Sequence, residues 1–279
     1  QEALFDLEAP YIFWRIEGIS TPQAQPVFTQ AAGQDGYTFH SLVLEPRQVI
    51  LTGHVHGNSP EGIRLMYEER KRLNAVLNPV YGPGTLYYEN DFDMWQIPAF
   101  TIESAYLDKL RNVQTLNIMF ECPSPYWQSV KQHEILLAYV DGGLRFPVKT
   151  PGYFGTLGYR AVIDNDSDGY VPVEMYVDGG SVNPVIVNKT TGEFIKIERQ
   201  FASGDQIYIN TDPEKMEVSR IYIDPATNKP VKENAYGYLS FDSTLLQLIP
   251  GENDLTFTSD DENKRVRVRI YFRKRYAGV

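Results

Sequence analysis

The stretch Ser59–Pro79, SPEGIRLMYEERKRLNAVLNP, is the one segment of the chain whose pattern indicates a long helix. Ser59 can cap the first turn with its hydroxyl, and Pro60 follows at the first helical position, where a missing N–H costs nothing. Asn78 and Pro79 end the helix, because the residue before a proline is pushed out of the α region. Apolar residues recur at three- and four-residue spacings and form one stripe: Ile63, Met66, Leu73, Val76 and Leu77. Since strands precede and follow it, the helix is predicted to cover one face of a sheet.

Composition indicates a mostly β protein that is long enough for two domains. The chain has 279 residues, and 21 glycines, 18 prolines and 19 tyrosines accompany that single helix. The net charge of −10 disfavours non-specific binding to nucleic acid. The sole cysteine, Cys122, excludes an intrachain disulfide and a cysteine-based zinc site. No apolar run approaches the roughly 20 residues that span a bilayer, and we expect no signal peptide.

Alternating patterns around the helix predict a first domain, residues 1–140, built as a β-barrel or sandwich with one α-helix. Tyr11–Gly18 places Ile12, Trp14 and Ile16 on one face. Thr21–Gly36 is rich in Pro, Gln, Ala and Gly and is predicted to be a long loop. Two further strands, within Arg47–His56 and Val113–Cys122, share apolar faces formed by Val49, Leu51 and Val55 and by Leu116, Ile118, Phe120 and Cys122. Gln1–Pro10 has no periodicity and is compatible with an arm.

A glycine- and proline-rich stretch, GGLRFPVKTPGYFGTLG at Gly142–Gly158, is typical of a domain connector, so residues 141–158 are predicted to be a linker. Residues 159–279 then form a second domain of short strands separated by turn signals, which predicts a β-sandwich or barrel. The predicted strands are Tyr159–Ile163, Val171–Val177, Pro184–Asn188, Glu193–Glu198, Gln206–Asn210, Val218–Ile223, Tyr238–Phe241, Leu245–Ile249, Asp254–Thr258 and Arg265–Phe272.

Several short motifs follow one another in a particular order between about Phe39 and Phe257. They are LNP at Leu77–Pro79 with GPGTLY at Gly82–Tyr87, FECPSPYW at Phe120–Trp127, GGLRFP at Gly142–Pro147, NPVIVNKTTGE at Asn183–Glu193 and LIPGENDL at Leu248–Leu255. None is chemically diagnostic alone. In this order and at these distances, the motifs resemble the distal tail protein (Dit) family of long-tailed siphophages.

The resemblance implies a mainly β chain whose N-terminal domain forms a six-subunit ring at the end of the tail tube, followed by an outward-pointing galectin-like β-sandwich. It implies partners: other copies of the chain, the tail tube protein, tail-tip or tail-associated proteins, and receptor-binding proteins. DNA would pass in transit without specific binding, and no membrane is involved. The protein would be located at the tail tip of the virion after assembly in the cytoplasm of the host bacterium.

The resemblance implies a structural protein rather than an enzyme, with no catalytic, cofactor-binding or metal residues. The chain lacks the G-x-S-x-G, Walker and H-E-x-x-H motifs. The alternatives are a carbohydrate-binding receptor-recognition module of a phage tail, the equivalent ring protein of a phage-like bacteriocin, and a glycan hydrolase.

Two patterns could indicate metal sites. His54 and His56 lie two apart on one strand face, and His40 or an acid would have to supply a third ligand. Two polar residues on a half-buried strand explain the same pattern. Asp164–Gly169, DNDSDG, opens like a calcium loop, but its twelfth position is Met175 rather than Glu. An Asp-rich β-turn is the favoured interpretation.

The second domain contains no tryptophan, because Trp14, Trp95 and Trp127 all precede the linker. Sugar-binding sandwiches usually place an aromatic ring, most often Trp, against the sugar. Tyrosines would have to substitute for it here, and the candidates are Tyr176, Tyr208, Tyr222 and Tyr238. The galectin-like resemblance therefore implies a shape, and a lectin activity is not expected from it.

The segment Lys264–Arg275, KRVRVRIYFRKR, alternates apolar residues with arginines. Nucleic-acid binding is one interpretation of this arginine row. The favoured interpretation is a strand protected against edge pairing, or a surface that meets an acidic partner, since Ser259–Glu262 supplies compensating charge just upstream.

Overall fold

The structure, a computed structural model, describes residues 11–57, 59–110, 112–137, 159–261 and 266–279. The chain divides into two compact units, Gln1–Gln128 with Tyr276–Val279 and Ser129–Arg275. The predicted arm, Gln1–Pro10, and the predicted linker, residues 141–158, lie outside the described residues. No helix in the described part of the chain is long and apolar enough to cross a membrane.

Strands dominate the first unit. In chain order its elements are β1 (Tyr11–Glu17), β2 (Ala24–Thr29), β3 (Thr38–Leu44), β4 (Arg47–His56), α1 (Pro60–Val76), β5 (Gly84–Glu89), β6 (Met94–Leu110), β7 (Val113–Cys122) and β8 (Trp127–Ser129), the last of which ends beyond the unit boundary. β1, β4, β7 and β6 lie side by side, and β5 pairs with β6. All of these pairs are antiparallel. Within this sheet β4 and β7 alternate buried and half-buried residues, as predicted.

The helix covers one face of this sheet, as predicted. Ser59 caps it by accepting a hydrogen bond from the Gly62 amide at 3.0 Å, and the helix ends at Val76. Its buried residues Met66 and Leu73 share a core with the inward residues of β4, β7 and β6. Gly57, just after β4, allows this close packing, because a Cβ atom there would lie 2.3 Å from the backbone of Gly62.

The predicted single apolar face on β1 is wrong, because a β-bulge changes the phase of the strand. Ile12 pairs with His54, whereas Ile16 pairs with Leu51, and the register shifts between Phe13 and Arg15. Phe13 is the buried residue of this strand, while Ile12, Trp14 and Ile16 remain partly exposed. An extra residue in one strand moves every later side chain to the opposite face.

The predicted loop at Thr21–Gly36 contains a strand. β2 pairs with β3 in a two-stranded antiparallel ribbon that is separate from the main sheet. The residues of β2 are all exposed, so its sequence lacks the burial alternation by which strands are recognised. The sequence pattern predicts two short strands, Met94–Phe100 and Thr101–Tyr106. In the structure they belong to one strand, β6, with a bulge between Thr101 and Glu103.

A buried arginine joins distant parts of the first unit. Arg47, at the start of β4, is 2% exposed and donates to four backbone carbonyls. Its Nε and Nη2 atoms donate to Pro125 O at 3.0 and 2.8 Å, Nη2 also donates to Ala277 O at 2.5 Å, and Nη1 donates to Gly18 O and Ser20 O. Within the described residues Arg47 forms no ion pair. Burial lowers the pKa of its guanidinium.

The second unit is a sandwich of two antiparallel sheets. Its elements are β9 (His133–Leu137), β10 (Tyr159–Asn165), β11 (Glu174–Asp178), β12 (Val185–Asn188), β13 (Phe194–Lys196), β14 (Gln206–Asn210), β15 (Glu217–Ile223), β16 (Pro230–Asn234), β17 (Gly251–Thr258), β18 (Arg267–Phe272) and β19 (Arg275–Tyr276), which ends in the first unit. One sheet has the order β10-β17-β12-β13 and the other β16-β15-β14-β11-β18-β9. Buried residues of both sheets form one core.

Two of the motifs in this unit are connected by buried asparagines. The Asn188 side chain donates to Asn253 Oδ1 at 3.0 Å, and Asn253 donates to the carbonyls of Ile249 and Gly251. Both asparagines are fully buried, so their amides need these partners. The motifs Asn183–Glu193 and Leu248–Leu255 therefore contain turn-forming residues of the sandwich.

Several strands differ from the predicted set. β9 lies before the predicted linker but pairs with β18 in the second unit, and β16 was not predicted. The predicted strand Tyr238–Phe241 is reduced to one bridge between Ile197 and Leu239, which follows a 3₁₀ turn at Tyr236–Tyr238. The predicted strand Leu245–Ile249 is reduced to one bridge between Val171 and Leu248.

We expect Arg47→Met to lower the unfolding free energy of the first unit by about 2–4 kcal/mol, because four part-buried carbonyls lose the donors that a buried guanidinium supplies. All three tryptophans lie in this unit, so tryptophan fluorescence during urea unfolding reports on it. Arg15→Met is the matched control, since Arg15 is 66% exposed, and it should change stability by less than about 0.5 kcal/mol. Equal effects of the two substitutions would contradict the role assigned to Arg47.

We expect Cys122 to be unreactive in the folded chain. Burial raises the pKa of its thiol to about 12, with nearby Glu121 adding to the shift and Arg47 opposing it. Only about one thiol in ten thousand is then ionised at pH 8, and the thiolate is the reactive form. A chromogenic disulfide reagent at pH 8 should detect one thiol in urea and almost none without it. Rapid labelling of the native chain would contradict this.

Candidate interaction surfaces

The first candidate surface is the β2–β3 ribbon, which carries an uncovered apolar face. Register pairs Ala24 with Leu44, Pro26 with Leu42 and Phe28 with Phe39, so these six side chains share one side of the ribbon, here named the ribbon face. Phe39 is 60% exposed and Leu42 61%. The opposite side carries Gln25, Val27, Thr29, Thr38, Ser41 and Val43. A two-stranded ribbon of this kind is marginally stable in water unless another surface packs on it.

A second apolar surface of the first unit lies on the β5–β6 hairpin. Tyr87 and Met94 are exposed on its outer side, and Phe92 at the tip is 91% exposed. Asn90 fixes the tip by accepting hydrogen bonds from the amides of Phe92 and Asp93 at 2.9 and 3.0 Å. We name these three apolar residues, Tyr87, Phe92 and Met94, the hairpin patch. It is distinct from the ribbon face.

The two histidines that could have indicated a metal site are not brought together with a third ligand in the described residues. His54 packs against Trp14 with ring centroids 3.9 Å apart, and His40 shares a 2.8 Å hydrogen bond with Thr29 on the ribbon. The Nδ1 atoms of His54 and His56 are buried without a hydrogen-bond partner among the residues that the structure describes. In the described part of the chain no three His, Cys, Asp or Glu residues come together as metal ligands.

The acidic turn is held by hydrogen bonds and an ion pair within its own unit. The buried Asn165 amide donates to the carbonyls of Leu248 and Ile249 at 3.2 and 3.1 Å. Asp166 pairs with Lys274 at 2.6 Å, which lowers the pKa of this carboxyl. Met175, at the position where a calcium loop needs Glu, is fully buried. Side chains that a calcium loop would direct to the ion are thus bonded to other protein groups in this turn.

The basic segment is an internal strand rather than an edge. β18 pairs with β11 on one side and β9 on the other, so the predicted protection of a sheet edge is wrong. Arg269 pairs with Asp178 at 2.9 Å and Lys274 with Asp166. Local acids therefore neutralise much of this charge, which weakens the nucleic-acid interpretation. Lys264 and Arg265 lie outside the described residues.

The tyrosines that the sequence singled out divide into two groups. Tyr176 and Tyr208 contact each other on the outer face of the six-stranded sheet, with ring centroids 4.9 Å apart. Tyr222 and Tyr238 are instead each covered by an arginine, with guanidinium-to-ring distances of 4.4 and 4.1 Å. Sequence reasoning missed Tyr271, which packs against Tyr176 from β18. Only the strand pairing brings these residues together, since they lie far apart in the chain.

Comparison with known proteins identifies the second unit. A family model described as "Siphovirus-type tail component, C-terminal domain" matches residues 167–276. No curated protein matches the chain. The predicted resemblance to the siphophage distal tail protein family is confirmed, and so is the predicted mainly β fold.

Solved structures from phage tails share the fold of the whole chain. The crystal structure of SPP1 Dit, described as a paradigm of the hub adsorption apparatus in phages that infect Gram-positive hosts, is 14% identical, with a TM-score of 0.57 over 95% of this chain and 93% of that chain. The phage P2 baseplate in its activated conformation with Ca is 11% identical, with a TM-score of 0.53 over 97% of this chain and 92% of that chain. The Sr form of that baseplate is 12% identical, with a TM-score of 0.52 over 97% of this chain and 92% of that chain.

We expect no tight calcium binding at Asp164–Gly169, because a closing carboxylate is missing and Asp166 already pairs with Lys274. Calorimetric titration with calcium chloride should show no affinity tighter than about 10⁻⁵ M. Asp166→Asn is the matched control. A tighter affinity that this substitution abolishes would contradict the expectation.

Proposed function

We propose that this chain, which carries a siphovirus-type tail component domain, is a non-enzymatic hub subunit at the distal end of a siphophage tail. In this proposal its first unit closes into a hexameric ring that continues the lumen of the tail tube and lets DNA pass. The second unit offers a docking surface for tail-tip, tail-associated or receptor-binding proteins. The subunit assembles in the host cytoplasm and remains at the tail tip of the virion.

The observation that carries the ring proposal is the uncovered ribbon face. Five of the six apolar side chains on this isolated two-stranded ribbon are exposed, although Tyr37 contacts Phe28 with ring centroids 4.4 Å apart, and large exposed apolar patches mark interaction sites. Another copy of the chain is the simplest cover. Burying Phe28 and Leu42 would contribute about 1.5–3 kcal/mol for each side chain.

Two different apolar surfaces on one subunit favour a ring over a two-fold dimer. The ribbon face and the hairpin patch involve separate elements of the first unit. A head-to-tail contact needs two distinct surfaces on each subunit, and it closes into a ring when the rotation between subunits permits. The number six rests on the resemblance to distal tail proteins.

Charge also supports a channel for DNA. Residues 1–135 contain nine Lys and Arg against sixteen Asp and Glu, a net charge of about −7 out of −10 for the chain. DNA carries one negative charge per roughly 1.7 Å, so an acidic wall lets it slide without adhering. In our proposal part of this acidic excess lines the lumen.

A ring protein of a phage-like bacteriocin would share these features, and it differs by having no DNA to deliver. A carbohydrate-binding receptor module is a second candidate function, and it is favoured by a cleft of aromatic and polar side chains on the six-stranded sheet of the second unit.

The ring proposal predicts that charge on the ribbon face prevents assembly. We expect light scattering of the full chain to show a ring-sized oligomer, and the double substitution Phe28→Asp with Leu42→Asp to lower the association constant at least about 100-fold. Val27→Asp with Val43→Asp places the same charges on the opposite side of the same ribbon and should leave the oligomer intact.

Two outcomes would contradict the proposal. One is a wild-type chain that stays monomeric at every concentration tested. The other is an oligomer that survives the ribbon-face substitutions. Circular dichroism of each variant separates loss of assembly from loss of folding.

A further inference from the structure

A cleft of about 320 Å³ opens on the outer face of the six-stranded sheet of the second unit. Its volume is within the range of pockets that hold small ligands. The lining combines two aromatic rings with four polar side chains and has no aliphatic residue: Gln132, Glu174, Tyr176, Gln206, Arg269 and Tyr271. Such a lining suits a ligand that has both apolar faces and many hydroxyl groups.

Strand pairing sets the positions of these side chains. Tyr271 lies directly opposite Glu174, and Arg269 opposite Tyr176, across the β18–β11 pair. The intervening residues Met175 and Val177 point into the core and are fully or almost fully buried. The cleft is therefore built on hydrogen-bonded strands whose inner side is packed, which holds a binding site in a defined geometry.

The two tyrosines form perpendicular walls. Their ring centroids lie 5.7 Å apart with an interplanar angle of 85°. The Tyr271 hydroxyl donates to Glu134 Oε1 at 3.1 Å, which fixes that ring. Burial raises the pKa of the Tyr176 phenol. A fixed aromatic ring offers an apolar face with a polar edge, and the C–H face of a pyranose ring can pack on it.

Polar groups beside these rings have unused hydrogen-bonding capacity. Within the described residues the Glu174 carboxylate forms no ion pair or hydrogen bond. Arg269 is already engaged, since its Nη2 pairs with Asp178 and its Nε is buried. Gln206 donates to Asp178 through Nε2, which leaves its Oε1 as an acceptor. A carboxylate and an amide oxygen can together accept hydrogen bonds from several hydroxyl groups.

The charge of the face argues against other classes of ligand. The side chains around the cleft include four carboxylates and three cations: Glu134, Glu174, Asp178 and Glu217 with Arg267, Arg269 and Lys232. This near balance gives a polyanion such as nucleic acid no net attraction. The lack of aliphatic side chains in the cleft gives a lipid chain nothing to pack against.

We propose that this cleft binds a neutral saccharide, with a sugar ring against Tyr271 and Tyr176 and its hydroxyls bonded to Glu174 and Gln206. Tyrosines here replace the tryptophan that the second unit lacks. The site is independent of the ring proposal, because every residue involved belongs to the second unit.

The test is binding of the full-length chain to an array of defined neutral oligosaccharides, followed by titration of each bound sugar. We expect at least one neutral oligosaccharide to bind with a dissociation constant of about 1 mM or lower. Glu174→Gln and Tyr271→Leu should each weaken binding at least about tenfold, since each removes a direct contact.

Matched controls lie in the same unit. Glu217→Gln removes a carboxylate on the same sheet face outside the cleft, and Tyr236→Leu removes an exposed tyrosine elsewhere. Both should bind like the wild type. Thermal unfolding of all four variants shows whether they fold. Absence of binding to every neutral oligosaccharide at about 1 mM would overturn the proposal, and so would affinities that the two cleft substitutions leave unchanged.

Discussion

The first unit is organised around the buried cation Arg47. Among the described residues Arg47 has no carboxylate partner, and its charge is satisfied by the carbonyls of Gly18, Ser20, Pro125 and Ala277. These four residues come from the end of β1, from the segment after β7 and from the C-terminal residues that return to this unit. A buried charge with fewer hydrogen bonds would cost several kcal/mol, so the guanidinium and its carbonyls require one another. The segment after β1 and the C-terminal residues are in this way fixed to β4, the strand that precedes the helix.

Sequence patterns predicted the parts of this fold in which burial alternates locally. The cap at Ser59, the stop at Pro79 and the inward residues of β4 and β7 are all local signals, and each is confirmed. The bulge in β1 and the exposed strand β2 could not be predicted, because neither follows a simple alternation. Arg47 could not be identified either, since its four carbonyl partners lie up to 230 residues away in the chain.

The candidate surfaces were predictable only in part. Tyr176 and Tyr208 could be named from composition, but their neighbours Glu174, Arg269 and Tyr271 become a cluster only through the pairing of β11 with β18. The ribbon face could not be predicted from the sequence for the same reason, because it depends on strand pairing. Phe28 and Phe39 face one side together because the ribbon contains a bulge, and the sequence between them has the composition of a loop.

In our proposal copies of this chain close into a ring through the exposed apolar surfaces of the first unit. Negative-stain electron microscopy of the purified full-length protein tests this most directly. We expect closed rings with a central hole and six-fold symmetry. A field of single subunits at every concentration examined, or of open filaments without closed rings, would contradict the claim.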